Sequence, residues 1–319
     1  MMKKLLLSAI ALMMVLALAC GAAADDKVNV YALKGPTGIG MVGVMEDHAE
    51  EYAFTLAGAP DEIVAAIASG SADIAACPTN LAAVLYKKTS GNVQLLALNT
   101  LGVLHVVSSD NSITSFADLA GRKVYATGQA SVPEYVINYI LEANGLTDKV
   151  EIEYVAEHSE LATLLAAGKA EIGILPEPHV TSALMQNDSL KAVIDVTAAF
   201  KEAAAKAGNP DMELSMGCVI VRRDFAEANP EKVAAFLDAY GASVAMVNSD
   251  ADAASQLVEK HGVMPKAAVA KRAIPNCHIV FVEGEAVRTQ IEPLYEVLLA
   301  ANPASIGGAL PDDGFYYVR

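Results

Sequence analysis

Short apolar, β-branched runs recur along the chain, each followed by a Gly- or Pro-marked loop and then a helix-period pattern. "VNVYAL" at 28–33 predicts a first strand. "KGPTG" follows as a loop in which Thr37 is placed to cap a helix over about 39–51. "YAFTLAG" predicts a second strand, and "DEIVAAIASG" a helix that opens near Asp61 and stops at Gly70. "ADIAACP" reads as a buried strand ending at Pro78, "TNLAAVLYKKTSG" as a helix and "VQLLALNT" as another strand. Strands alternating with helices predict a parallel sheet covered on both faces.

The order then repeats. "DEIVAAIASGSADIAACPTN" (61–80), shifted by 98 positions, lies without a gap on "SELATLLAAGKAEIGILPEP" (159–178). Gly70 falls on Gly168, Ile74 on Ile172 and Pro78 on Pro176. "KVYATG" (123–128) answers "NVYALKG", "VEIEYV" answers "YAFTLA", and "LKAVIDVT" (190–197) answers "VQLLALNT" with a one-residue slip. Independent boundary signals agree in the same order, which predicts two similar α/β lobes. "TLGVLHVVSSD" (100–110) and "ELSMGCVIVRRDF" (213–225) are extended and suit strands that cross between them. The expected division is lobe one at 27–104 plus 222–319 and lobe two at 105–221. From Asn229 onward the pattern is mostly helical and should pack back on lobe one.

The first residues change the picture. Lys3 and Lys4 precede an apolar run from Leu5 to Leu18, followed by "ACGAAADD". About 14 residues are too few to cross a bilayer, which takes roughly 20, so residues 1–20 read as an export signal. Cys20, between Ala19 and Gly21, resembles a lipoprotein box, and its lipid would be the chain's one contact with a membrane. Cleavage after "AAA" is the competing reading. Cys77, Cys218 and Cys277 then remain, an odd number with no zinc spacing, suited to small buried hydrophobes. The net charge of −16, more negative still without the two leader lysines, repels nucleic acid and anionic lipid.

Catalytic motifs are scarce. Gly38, Gly40 and Gly43 in "GIGMVG" fit the dinucleotide fingerprint, but the loop before them is lengthened by Pro36 and Thr37, and Asp61 opens a helix. Neither a P-loop, G-x-S-x-G nor H-E-x-x-H occurs, and "EDHAEE" around His48 reads as a solvated helix face. What remains are polar residues at the C-terminal ends of strands, where open α/β sheets take ligands. In lobe one these are Lys34, Gly35, Pro36, Thr37 and Gly38, then Thr79 and Asn80, then Asn99 and Thr100. In lobe two they are Thr127, Gly128, Gln129 and Ser131, with Glu177 opposite "PTN" and His179 and Glu213 as weaker additions.

"ADIAACPTN", "SITSFADLAGRKVYATG", "PEYVINYILEANGL", "LPEPHV" and "MGCVIVRRDFAEANPEKV" together resemble substrate-binding proteins of ABC transporters. The nitrate/sulfonate/taurine/thiamine-precursor group, with the type II periplasmic-binding-protein fold, is the branch they resemble. The resemblance implies two α/β lobes joined by two crossover strands, a small organic solute in the cleft between them, and delivery to a permease with its ATPase. It implies an extracytoplasmic monomer, neither an enzyme nor a cofactor carrier. Carried over by position, the ligand residues are Lys34–Gly38, Thr79, Asn80, Thr127, Gln129, Ser131 and Glu177. The chain has no Trp and no Arg in a candidate loop, which departs from sulfonate and nitrate binders and suits a neutral, zwitterionic or heteroaromatic solute. Tyr135 is a stacking candidate or a core residue. Relatives of this fold that act as enzymes in thiamine-pyrimidine or quinone synthesis define one alternative, and a ligand-sensing surface receptor another.

Overall fold

The computed structural model describes residues 27–319, so the expected export signal and lipid-bearing Cys20 lie outside the described residues. Its strands are β1 (Val28–Leu33), β2 (Tyr52–Ala57), β3 (Ile74–Pro78), β4 (Val93–Leu101), β5 (Leu104–Ser108) and β6 (Lys123–Ala126). After these come β7 (Glu151–Tyr154), β8 (Ile172–Pro176), β9 (Lys191–Asp195), β10 (Ser215–Arg222) and β11 (Ile279–Glu283). They form two sheets, ordered β11-β4-β10-β3-β1-β2 and β7-β6-β8-β5-β9. Apolar clusters cover both faces of each sheet, and one of them runs continuously from the first lobe through the second.

The sheets are mixed, not parallel as expected. β1 pairs parallel with β2 and β3, but β10 runs antiparallel between β3 and β4. In the second sheet β6 pairs parallel with β7 and β8, while β5 runs antiparallel between β8 and β9. The reason is an exchange. The strand that leaves the first lobe enters the second sheet, and the strand that leaves the second lobe returns to the first. Each arrives from the opposite end and so runs against its new neighbours.

The crossings are shorter than the extended segments suggest. Only Gly102 and Val103 separate β4 from β5. A side chain on Gly102 would collide with Thr197 Oγ1 and come within 3.0 Å of Leu214 Cδ2, so this passage requires glycine. His278 holds it from the other side, its Nδ1 bonded to the Gly102 carbonyl. The boundary expected at 221/222 would place residues 215–221 with lobe two, whereas β10 stands in the sheet of β1.

The repeat is closer than the sequence alone suggests. β3 and β8, β4 and β9, and the helices Pro60–Ser69 and His158–Ala166 each begin 98 residues apart, so the one-residue slip vanishes. The expected helix over 39–51 is instead two short ones, Pro36–Ile39 and Val42–Asp47. Ser243 accounts for the break: its Oγ donates to the Gly40 carbonyl at 2.6 Å and accepts from the Gly43 amide at 2.9 Å. Thr37 is not the cap; Gly35 occupies that position at φ 91°, with Pro36 in the first turn. Cys77, Cys218 and Cys277 are free and buried, Cys77 and Cys218 directly opposite each other on β3 and β10.

The C-terminal region packs on the first lobe. β11 extends the first sheet along β4, and the helix Glu285–Ala301 leads to a turn at Pro303–Ile306 that rests on the helix Thr79–Lys88.

Candidate functional site

The strand ends of the two lobes face each other across a cavity of about 220 Å³. The first lobe contributes Lys34, Pro36 and Thr37 after β1, Thr100 at the end of β4, and Met216 and Gly217 on β10. The second contributes His158 at a helix start, the Pro176–His179 corner after β8, and Val103 from the crossing. Lys34 reaches the cleft because β1 ends at Leu33 and its amide bonds across to the Ala57 carbonyl at 3.1 Å. Glu177 is held beside the crossing by its own amide, which donates to the Val103 carbonyl at 2.8 Å. At the mouth the helix His179–Gln186 touches the helix Ala267–Ala273, so the lobes are shut on the cavity.

Glu177 is 2% exposed and precedes the helix His179–Gln186. Its Oε2 accepts from the Thr181 amide at 3.0 Å and its Oε1 from the Thr181 hydroxyl at 3.0 Å, with Asn276 Nδ2 at 3.5 Å from across the hinge. Burial pushes its pKa above the usual carboxylate value, against the downward pull of these donors. His158 and His179 face each other with ring centroids 5.3 Å apart. Burial lowers the pKa of both, and the neighbouring His158 adds to the effect on His179, which falls to about 4. Both imidazoles are therefore neutral at pH 7. Lys34 is exposed and has no ion-pair partner among the described residues, so the cleft carries one free cation on one wall and one buried acid on the other.

Several expected ligand residues serve the fold instead. Thr79 is fully buried and donates to the Ser215 carbonyl at 2.7 Å, while its own carbonyl accepts from Tyr295 Oη at 2.8 Å. Asn80 turns to the C-terminal region, donating to the Ser305 carbonyl at 3.3 Å. Thr127 stands behind the wall, bonded to His158 Nδ1 at 2.6 Å. Gln129 is exposed and does not line the cavity, and Ser131 donates to the Gly128 carbonyl at 2.6 Å. Gly35 lines a neighbouring groove of about 750 Å³, and Gly38 lies so close under the Leu33 carbonyl that a side chain would not fit. Tyr135 is a core residue whose hydroxyl accepts from Asn302 Nδ2 at 2.9 Å, and Glu213 pairs with Lys201 at 2.7 Å.

His158, Met216, Gly217 and Asn276 were not among the expected site residues. His158 could have been found, because it opens the second copy of the repeated helix at the edge of the cleft. Gly217 carried the ordinary signal of a glycine inside a strand, which marks a close approach. Gly40 and Gly43, the remainder of the dinucleotide-like pattern, pack against Tyr240 and Ser243 and present no phosphate loop. Among the described residues no group of His, Cys, Asp and Glu is arranged to hold a metal, and no helix is long and apolar enough to cross a membrane.

Two α/β lobes with exchanged strands and a polar cleft at their strand ends define a class of bilobal binding protein. The sequence matches the family described as "ABC transporter, phosphonate, periplasmic substrate-binding protein" over residues 49–262, and the chain belongs to that family. It is thus the extracytoplasmic substrate-binding component of an ABC importer, as the sequence motifs imply. No curated protein matches the chain. Among solved structures it is similar to an ABC transporter from Parabacteroides distasonis, at 22% identity and a TM-score of 0.77, covering 92% of this chain and 99% of that one. It is also similar to the periplasmic aliphatic sulphonate binding protein SsuA from Escherichia coli, at 16% identity and a TM-score of 0.66, over 88% and 93% of the two chains. The desulfurization enzyme DSZB shares the fold at 13% identity and a TM-score of 0.59, over 86% and 92%.

Proposed function

We propose that this protein captures a small zwitterionic solute, an aminoalkyl phosphonate or sulfonate, in the cleft between its lobes. The observation that carries the reading is the pair of opposite charges, Lys34 and Glu177, set on opposite lobes around one cavity and not paired with each other. An anionic head fits the Lys34 wall, in keeping with the phosphonate of the family description and the sulphonate of SsuA. A cationic N–H end fits Glu177 and the acceptor nitrogens of neutral His158 and His179. The cavity of about 220 Å³ suits a solute of a few carbons. Such a ligand touches both lobes only when they are shut, so it shifts the population toward the closed form that a permease would recognise.

Residues 1–20 support tethering through a lipid on Cys20, and the acidic surface supports a monomer. Intact mass of the mature protein tests the first and sedimentation the second. The enzyme reading has the fold of DSZB in its favour, but among the described cleft residues no Ser or Cys nucleophile stands beside a base.

Calorimetric titration with 2-aminoethylphosphonate, 2-aminoethanesulfonate and their amine-free ethyl analogues tests the proposal. Saturating aminoalkyl ligand should stabilise the protein by about 2.7 kcal/mol at one hundred times Kd. The absence of binding by every member of the set rejects it, and conversion of a bound solute supports the enzyme reading.

A further inference from the structure

Cys77 on β3 stands directly opposite Cys218 on β10 in an antiparallel register, and both are fully buried. Residues so placed have Cα atoms about 4.5–5.5 Å apart, inside the roughly 4.4–6.8 Å that a disulfide spans. Cys77 and Cys218 belong to one apolar cluster, whereas their neighbours Ala76 and Val219 belong to the cluster on the other face of the sheet. Both side chains therefore project from the same face. Their thiols are within hydrogen-bonding reach of each other.

Position in the chain gives this pair its weight. Every strand of the second sheet lies between Cys77 and Cys218 in sequence, so the two residues stand where the chain leaves for the second lobe and where it has just returned. Cys277, the third buried cysteine, lies in the cluster on the opposite face and competes for neither. The substrate-binding component of an importer works outside the cytoplasm, where disulfides form and persist.

We propose that Cys77 and Cys218 are a disulfide-forming pair that ties the returning crossover strand to β3 and closes the chain around the second lobe. The oxidant is the disulfide of an extracytoplasmic thiol oxidase. One cysteine thiolate attacks that disulfide and releases one of its sulfurs, and the second thiolate then attacks the mixed disulfide and releases the other. Two protein S–H bonds and the oxidant's S–S bond break; one protein S–S bond and two oxidant S–H bonds form. The exchange belongs to folding, while β10 is docking on β3 and the thiols are still in water. Once the pair is enclosed, burial and the Cys77 contact push the Cys218 pKa up, so little thiolate remains to react. The same enclosure then keeps reductants from the finished bond. A crosslink around so long a segment narrows the unfolded ensemble strongly and braces the base of the second lobe.

Peptide mapping of the exported protein tests this. Cells are quenched in acid, and the protein is unfolded and alkylated with iodoacetamide before any reductant is added. Trypsin cleaves after Lys34, Lys87, Lys206 and Arg222, so the bond should link peptides 35–87 and 207–222, with Cys277 alkylated on peptide 273–288. Linked peptides that separate on reduction support the proposal, and alkylated Cys77 and Cys218 in most molecules overturn it. Dithiothreitol should also lower the wild-type melting temperature by about 10 °C and leave a Cys77→Ala/Cys218→Ala variant unmoved. A wild-type protein that melts alike with and without dithiothreitol overturns the bracing role. If the double variant fails to fold, the peptide map and the wild-type melts decide alone.

Discussion

The corner after β3 and the corner after β8 are copies of one another, Thr79–Asn80 in the first lobe and Glu177–Pro178 in the second, 98 residues apart. In the first lobe the helix Glu285–Ala301 and the turn beyond it cover the corner. Tyr295 bonds the Thr79 carbonyl, Ser305 accepts from Asn80, and the Thr79 hydroxyl closes on Ser215. The second corner has no such cover and opens on the cleft, its carboxylate facing Asn276 across the hinge. A repeated motif thus yields one structural corner and one binding corner. What separates them is the helix Glu285–Ala301 with the turn beyond it, which lies over the first corner and leaves the second open.

The sharpest way to break this comparison is Glu177→Gln. Removing the charge opposite a bound ammonium should weaken an aminoalkyl solute about a hundredfold, read by calorimetry. Thr79→Val should leave that affinity within about twofold, and an equal loss at both corners would end the contrast. Lys34→Met should cost about tenfold at low ionic strength and flatten the salt dependence of binding, because the charge it removes is exposed and screened. Thr79→Val should instead lower stability by about 1 kcal/mol in urea unfolding, since the Ser215 carbonyl loses its buried donor.

Acid sharpens the contrast in a different way. His179 titrates near 4 in the folded protein and near 6.5 unfolded, so the unfolded chain binds the extra proton between those values. Stability contributed by neutral His179 is therefore present above pH 6.5 and is lost as pH falls toward 4; neighbouring His158, shifted the same way, adds to the loss. Glu177 acts oppositely. Its folded pKa is raised, so protonation on acidification returns stability to the native state. Urea melts across this range should show a shallower decline for His179→Asn, and a steeper one for Glu177→Gln, which lacks the compensating proton. Asn80→Ala, which loses a half-buried bond at 3.3 Å, should have the smallest effect, below about 1 kcal/mol in the same melts.

Much of the fold is legible along the chain because its signals are local. β1 and β3 follow from β-branched or apolar runs ended by Gly and Pro, and the helix Pro60–Ser69 from its stop at Gly70, left-handed at φ 76°. The helix expected over 39–51 fails because the group that interrupts it, Ser243, is 200 residues away. The antiparallel placement of β5 and β10 is equally hidden, since an isolated strand carries no mark of the sheet it will join. Of the strand-end residues, Lys34, Pro36, Thr37, Thr100 and Glu177 line the cavity, whereas Gln129 and Ser131 do not.

By itself the sequence determined two similar α/β lobes, their element order and the matched strand-end corners, because propensity, period and punctuation are properties of neighbouring residues. Tertiary structure decided which corner is free and which sheet each crossover strand enters. Those outcomes depend on contacts between residues far apart in the sequence, Ser108 with Ile172 and Thr79 with Ser215 among them, where burial and hydrogen-bond satisfaction, not local pattern, determine what each side chain can do.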